Sequence, residues 1–360
     1  MHCNFTRIVA VLCAAVTAGG ICRGADEPTK VTINDLADLL RAKQDALSTL
    51  DIEYTYESLP TDDFRDFLNY NARDLSARYP GKFPDYRDKS TDMSFYIHSC
   101  SCHLLQHGNK YLMESVDMGP KKNGTEVFAF DGLMNIYYCQ NKKEGFISEK
   151  SLCEIPFYSD WVAFVPDGWM SKHGERTPLW KFLLDAQKLG SAKISDAGDR
   201  GLTVEALMPR PTQPGIWTGM RISFGPPKTR AVTKIIVFCA QSNDPAFDPV
   251  NCTPVVTYSD FIEDPAGGLF PKQIQFDEYF QFGPEDADRL GGPDLRKRVF
   301  HITSAKLSVT KVTWNPVFQK DSLTPNIPAG TEISDEHGGI FYKPGKDAPK
   351  PPARNEGGSQ

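Results

Sequence analysis

The stretch INDLADLLRAKQDALSTLDIEYTY, residues 33–56, decides how the rest of the chain is read. Its first half places Leu36, Leu39, Leu40, Leu47 and Leu50 near the spacing of one face of a helix. Thr32 stands where a cap belongs, with the acidic Asp35 three positions on, as in a capping box. The second half changes period. Ile52, Tyr54 and Tyr56 alternate with Glu53, Thr55 and Glu57, the pattern of a half-buried strand. A one-faced helix running directly into a one-faced strand implies a larger sheet whose apolar side both elements serve.

Working back from that stretch, Arg7 precedes a nine-residue apolar run, IVAVLCAAV at residues 8–16, and small residues follow it up to Ala25. The run is too short to span a bilayer, and the order reads as a secretory signal peptide over residues 1–25. No later stretch approaches 18 apolar residues, so no transmembrane span is expected. Of the 40 basic residues, Arg7 and Arg23 lie in that segment, leaving 38 against 46 acidic, or about −8. So acidic a surface does not gather nucleic acid by its field. Six cysteines remain after cleavage: Cys100, Cys102, Cys139, Cys153, Cys239 and Cys252. An even count in an exported chain points to disulfides, with 15 pairings open. Cys239 with Cys252 is the first candidate pair, since the two flank the connection between two β-rich runs. Cys139 with Cys153 is the second.

Working forward, residues 60–92 hold Asp62, Asp63, Asp66, several Tyr and Arg, and two prolines, with a short helix over residues 63–78. From Met93 onward the alternation predicts strands over 93–105, 111–118, 126–130 and 135–140, with His107-Gly108-Asn109 and Asp131-Gly132 as turn signals. A second helix starts at Thr177 as cap and Pro178 as first residue. It carries Leu179, Phe182, Leu183, Ala186 and Leu189 on one face and ends at Gly190. Strands follow over 202–207, 218–224, 232–238, 255–262, 272–280 and 300–314, the last with a phase shift between Val309 and Val312 that predicts a β-bulge. The tail, residues 344–360, is rich in Pro, Lys and Gly and reads as disordered. About eleven strands that do not alternate with helices give an α+β fold: one large curved antiparallel sheet, an unclosed β-barrel, with a few covering helices.

The opening at residues 33–56, the FAFDG of residues 128–132 with the IYY that follows, and the GLFP of residues 268–271 entering a strand together resemble the lipoprotein-carrier family, the LolA/LolB-like fold of exported bacterial proteins. The closing segment, residues 315–342, resembles the end of large secreted bacterial proteins of that fold. The resemblance implies a single half-barrel domain over residues 26–343, with insertions near 60–92 and 140–176. It carries over no functional residue.

The sharpest local cluster is His98-Ser99-Cys100-Ser101-Cys102-His103. On a strand His98, Cys100 and Cys102 share a face. Their C-x-C spacing differs from a zinc knuckle, and the reading favoured is disulfide or core packing. Residues 285–291 echo a calcium loop, but Leu290 and Lys297 stand where oxygen ligands are needed. Asp335-Glu336-His337 lies beside Gly338-Gly339 with no nucleophile nearby. Ser308 and Lys311 match S-x-x-K, whose chemistry needs a helix where the pattern here is a strand. Phe128, Phe130, Tyr137, Trp161, Trp169 and Trp180 are candidates to line an apolar cavity and are equally compatible with a solid core. The function expected is that of an exported cell-envelope protein binding an apolar ligand, a lipid or acyl chain, in the half-barrel without catalysis, and with no cofactor or metal. Two other classes stand beside it: an envelope protein–protein interaction or sensor module, and a hydrolase with dispersed carboxylates.

Overall fold

The structure is a computed structural model. It describes residues 31–342 apart from 47–48, 79–96, 109, 120–123, 131–134, 149–167, 171–175, 197–200, 210–214, 228–229, 242–253, 265–268, 292, 320, 329 and 336–340. The signal peptide, the tail, residues 79–92 of the first insertion and most of the second therefore lie outside the described residues.

Helix α1 (Ile33–Ala46) buries Ile33, Leu36, Ala37 and Leu40, the i, i+3, i+4, i+7 stripe of a helix seated on an apolar surface. Two expectations are corrected here. Leu39 points outward at 43 % exposure, and Leu50 is buried in the next strand instead of continuing the helix. That strand, β1 (Thr49–Pro60), is followed by α2 (Asp62–Arg78). Then come β2 (His98–His107), β3 (Lys110–Asp117), β4 (Thr125–Phe130), β5 (Asn135–Cys139) and β6 (Glu144–Ser148). Short strands β7 (Gly168–Met170) and β8 (Arg176–Pro178) pair with each other.

Helix α3 (Leu179–Lys188) begins with Pro178 in the cap position and Thr177 in β8, one step later than the sequence suggests. It buries Leu179, Phe182, Leu183 and Ala186, each large side chain contributing about 1.5–3 kcal/mol of transfer free energy. Leu189 is 53 % exposed, and Gly190 turns the chain with φ of 69°. Strands β9 (Ala192–Asp196), β10 (Leu202–Pro209), β11 (Ile216–Phe224), β12 (Val232–Gln241), β13 (Val255–Glu263) and β14 (Leu269–Phe280) follow. The calcium-like segment is helix α4 (Pro284–Leu290), next to α5 (Pro293–Lys297). Its Asp286 binds Arg289, and its Asp288 binds Arg296, so these carboxylates serve as ion-pair partners. Strand β15 (Phe300–Trp314), β16 (Glu332–Asp335) and β17 (Phe341–Tyr342) end the described chain.

Fifteen strands form one sheet in the order β17-β16-β6-β5-β4-β3-β2-β1-β15-β14-β13-β12-β11-β10-β9. Every described neighbour pair is antiparallel except β16 with β6. This is the unclosed, mostly antiparallel sheet with few helices that the alternation predicts. The sequence count of eleven strands missed β6 to β9, β16 and β17, which are mostly three to five residues long and too short to show a period.

The early strand β1 sits in the middle of the sheet, between β2 and the late strand β15. The predicted bulge is present. Glu53 pairs with Lys311 and Tyr54 with Val309, so Thr310 is the extra residue, and its hydroxyl donates to the Glu53 carbonyl at 3.0 Å.

Helix α1 meets α3 through Arg41, whose guanidinium lies 5.2 Å from the Trp180 ring centre, and it meets β14 through a Lys43 ammonium bond to the Leu269 carbonyl. Helix α2 packs Phe64, Phe67, Leu68 and Tyr70 on Phe280, Phe282 and Phe300. Arg298 holds the helix start, reaching Asp63 at 3.1 Å and Asp66 at 2.7 Å.

After β15 the chain crosses the other face of β3–β6. Ile327 and Ile333 pack on Val127, Tyr138, Leu112 and Ile147, and the Tyr138 hydroxyl donates to the Asn326 carbonyl at 2.8 Å. Gly145 allows this crossing. A Cβ there would stand 2.4 Å from the Tyr137 carbonyl oxygen and 2.7 Å from Ile333 Cδ1. Gly145→Ala is expected to cost about 1–3 kcal/mol by overpacking, and Tyr138→Phe about 1 kcal/mol, both measured as shifts of the urea midpoint.

Candidate functional site: the inner face of the half-barrel

Alternation sorts each strand into two faces, and the register shows which residues meet. Leu104, Met113, Phe128, Tyr137 and Phe146 stand opposite one another in turn from β2 to β6, starting from Ile52 on β1. Ile52, Leu104, Met113 and Phe128 are buried. This face is the inner one. The opposite face of β1–β3 carries Glu53, Glu57, Ser101 and Glu114, exposed or half-buried. In the other half of the sheet the inner face is aliphatic and aromatic, with Val204 opposite Ile222 and Ile222 opposite Ile235. Tyr258 meets Ile274, and Ile274 meets Leu307. Of the inner-face residues, Tyr137 and Phe146 are half-buried and the rest are shielded from water.

Polarity on the inner face of β1–β6 changes along the strands. At one end, Leu50 pairs with Trp314, whose ring meets Phe270 edge-on at 5.0 Å. Two residues past the Ile52 row, the next row reads Tyr54, Cys102, Ser115, Glu126, Cys139 and Glu144. Beyond it lie Tyr56, Cys100 and Asp117, and then Ser58 with His98. On β14 and β15 the same end carries Glu278 opposite Thr303.

The polar row is internally bonded. Cys102 Sγ donates to Ser115 Oγ at 3.5 Å, the Tyr137 hydroxyl donates to Glu126 Oε1 at 2.9 Å, and the Tyr54 hydroxyl lies 3.2 Å from Met113 Sδ. Burial dominates the electrostatics. It pushes the Cys102 thiol from 9.0 up to about 11, against hydrogen bonds from Ser115 and Tyr54 that favour the thiolate. Cys100 and Tyr137 move up for the same first reason, Tyr137 with the Glu126 charge adding to it. Burial lowers His98 against the pull of Asp117 and Glu126, and raises Glu278. The result is a face that favours the neutral forms of Cys100, Cys102, Tyr137 and His98.

The structure places His98, Cys100 and Cys102 on one face, as their spacing implies. Cys100 and Cys102 are thiols, and among the described residues no group of three His, Cys, Asp or Glu lies close enough to hold a metal. Cys139 is buried in the polar row. Its candidate partner Cys153 lies outside the described residues, as do Cys252 and the side chain of Cys239. Phe128 and Tyr137 lie on the inner face, with Phe130 in the same phase. Trp180 sits on α3. Trp161 and the Trp169 side chain lie outside the described residues. Tyr54, Ser115, Glu126 and Glu278 were not singled out by sequence. Their inward phase is written in the alternation, but their convergence needs the register.

On the outer face, Asp277 gathers three donors: Ser304 Oγ at 2.8 Å, His301 Nε2 at 3.1 Å and Gln275 Nε2 at 3.2 Å. The hydroxyl here bonds the carboxylate and not the imidazole, so the nucleophile-to-base contact of acyl-transfer chemistry is not made. Among the described residues the buried polar side chains are Ser58, Ser115, Asn135, Asp264 and Thr331, which contain no carboxylate pair.

No family model and no curated protein matches the sequence. Among solved structures, the chain is similar to an outer membrane lipoprotein-sorting protein domain from Vibrio parahaemolyticus. The TM-score is 0.39 and the identity 5 %, with 81 % of this chain and 95 % of that chain covered. It is also similar to a DUF1329 family protein from Desulfovibrio piger, with TM-score 0.40, 8 % identity and the same coverages.

The raised Cys102 pKa generates a prediction. The folded state holds this proton where the unfolded chain releases it, so stability is full below about pH 9 and falls as pH rises toward 11. Between pH 7 and pH 10 the native protein is expected to lose roughly 1 kcal/mol more than Cys102→Ala does, read from urea midpoints of both proteins.

Proposed function

We propose that this is an exported cell-envelope protein that holds an apolar ligand, a lipid or acyl chain, against the inner face of the half-barrel and does no chemistry on it. One observation carries the reading: the buried apolar row from Ile52 to Phe128 continues in register across four strands, and the far half of the sheet repeats it with Val204, Ile222 and Ile235. Fifteen strands spaced about 4.8 Å apart make a sheet about 65 Å wide before it curls. Helices α1, α2 and α3, each about 10 Å across, cover roughly half of that width. A guest chain would take its place on this face by displacing the groups that shield it.

The reading includes the signal peptide over residues 1–25, a single domain over 26–343, and disulfides Cys239–Cys252 and Cys139–Cys153 as the first pairings to test. Among the described residues no helix is long and apolar enough to cross a membrane.

The test is native mass spectrometry of the protein purified without detergent, followed by titration of the ligand-stripped protein with a neutral fluorescent acyl ester. Extra mass that partitions into organic solvent, and saturable one-to-one uptake of the ester, are expected. Ligand-free protein that takes up no ester overturns the reading.

A further inference from the structure

Cys100 and Cys102 stand two residues apart on β2, both on the inner face. At this spacing on a strand their Cα atoms are about 6.6 Å apart, near the upper limit of what a disulfide spans, and their side chains run parallel. The pair is therefore poorly placed to close on itself, and both are thiols. They converge on one hydroxyl. Ser115 Oγ, on the neighbouring strand β3, lies 3.5 Å from Cys102 Sγ and bonds Cys100 as well. The Tyr54 hydroxyl on β1 bonds Cys102 and stands 3.2 Å from Met113 Sδ. Two thiols and a thioether from adjacent strands thus share two hydroxyl neighbours. Cys102 is 6 % exposed and Cys100 is half-buried, so an ion arriving from solvent meets Cys100 first.

We infer that Cys100 and Cys102 form a two-sulfur site for a soft monovalent cation, Cu(I), with Met113 as a third sulfur beside it. Thiolate and thioether sulfurs select Cu(I), zinc and iron–sulfur clusters. Zinc and the clusters need four ligands, and among the described residues no third His, Cys, Asp or Glu joins the pair. Cu(I) is satisfied by two or three sulfurs. Binding forms two Cu–S bonds, breaks two S–H bonds and sends two protons to solvent. The ion stays Cu(I), and no electron moves. The contact with Ser115 then reverses, its hydroxyl donating to the thiolate, while the Tyr54 hydroxyl donates to Cys102. Such outer hydrogen bonds fix the orientation of metal ligands. The titratable groups facing the pair are Tyr54 and Tyr56 on β1, His98 on β2, Asp117 on β3 and Glu126 on β4. Burial first, and then the charges of Asp117 and Glu126, hold the proton on Cys100, and burial does the same for Cys102, so the ion has to displace both protons. The assignment is independent of the half-barrel reading and stands or falls without it.

The experiment is an anaerobic titration of the full chain, purified without reductant so that cysteines in disulfides stay silent, against the coloured bicinchoninate complex of Cu(I). The protein is expected to remove one Cu(I) per chain and to release about two protons per ion, so that its apparent affinity rises about 100-fold per pH unit around neutrality. Cys100→Ser and Cys102→Ser, each with its fold checked by circular dichroism, are expected to bind at least about 100-fold more weakly, a larger loss than removing an outer hydrogen bond causes. No transfer of Cu(I) from bicinchoninate, or undiminished uptake by either variant, overturns the site. Release of one proton or none by the unsubstituted protein overturns the two-thiolate assignment without recourse to any variant. Tighter uptake of Zn(II) than of Cu(I), measured against a zinc-chelating dye, overturns the choice of ion.

Discussion

The pairing of β1 with β2 on one side and β15 on the other is the constraint on which the rest of the molecule depends. Side chains alternate, so a slip of one residue on either side of β1 would turn the apolar set of that half-sheet to water. The register puts Ile52, Tyr54 and Leu50 on the inner face together with Leu104, Cys102 and Val309. A single extra residue, Thr310, absorbs the mismatch in β15 so that Leu307 and Val309 on one side of it, and Val312 on the other, stay in phase with β1. Both halves of the sheet then present one continuous buried surface. The helices, the polar row and the crossing of the C-terminal segment are all placed by that choice of face.

The same constraint explains what the sequence discloses and what it does not. Long strands with a period of two were legible: β1, β10 and β15 carry buried residues at mostly alternate positions, and the bounds of β10 and β15 agree closely with the pattern, while β1 extends three residues beyond it at each end. Helices α1 and α3 were legible because their stripes repeat over several turns. Even the bulge in β15 left a trace, since the phase of Val309 and Val312 cannot be reconciled on a regular strand. Short strands were silent for want of length, and the parallel pairing of β16 with β6 was silent because nothing local encodes a partner 188 residues away.

The candidate site shows a similar division. The shared face of His98, Cys100 and Cys102 follows from spacing alone. That Ser115, Glu126 and Tyr54 join them does not, because each sits on a different strand and only the register brings them opposite one another. The structure also changes the meaning of the cysteine cluster. Burial lifts both thiols, and their neighbours are a hydroxyl, phenols and carboxylates in a hydrogen-bonded row. The pair belongs to a surface of graded polarity, and its spacing records the pleat of the strand.

The middle of the sheet has a bearing on how the chain comes to be folded. Thr310 and Glu53, which meet at the bulge, are 257 positions apart. The central seam therefore cannot form until nearly the whole polypeptide has been made, and contacts so remote in sequence are slow to find one another. Until β15 arrives, one long side of β1 has no neighbour and offers its amides to any passing strand. A nascent chain of this design needs to be kept extended and protected until its last third is present, a delay built into the order of its strands.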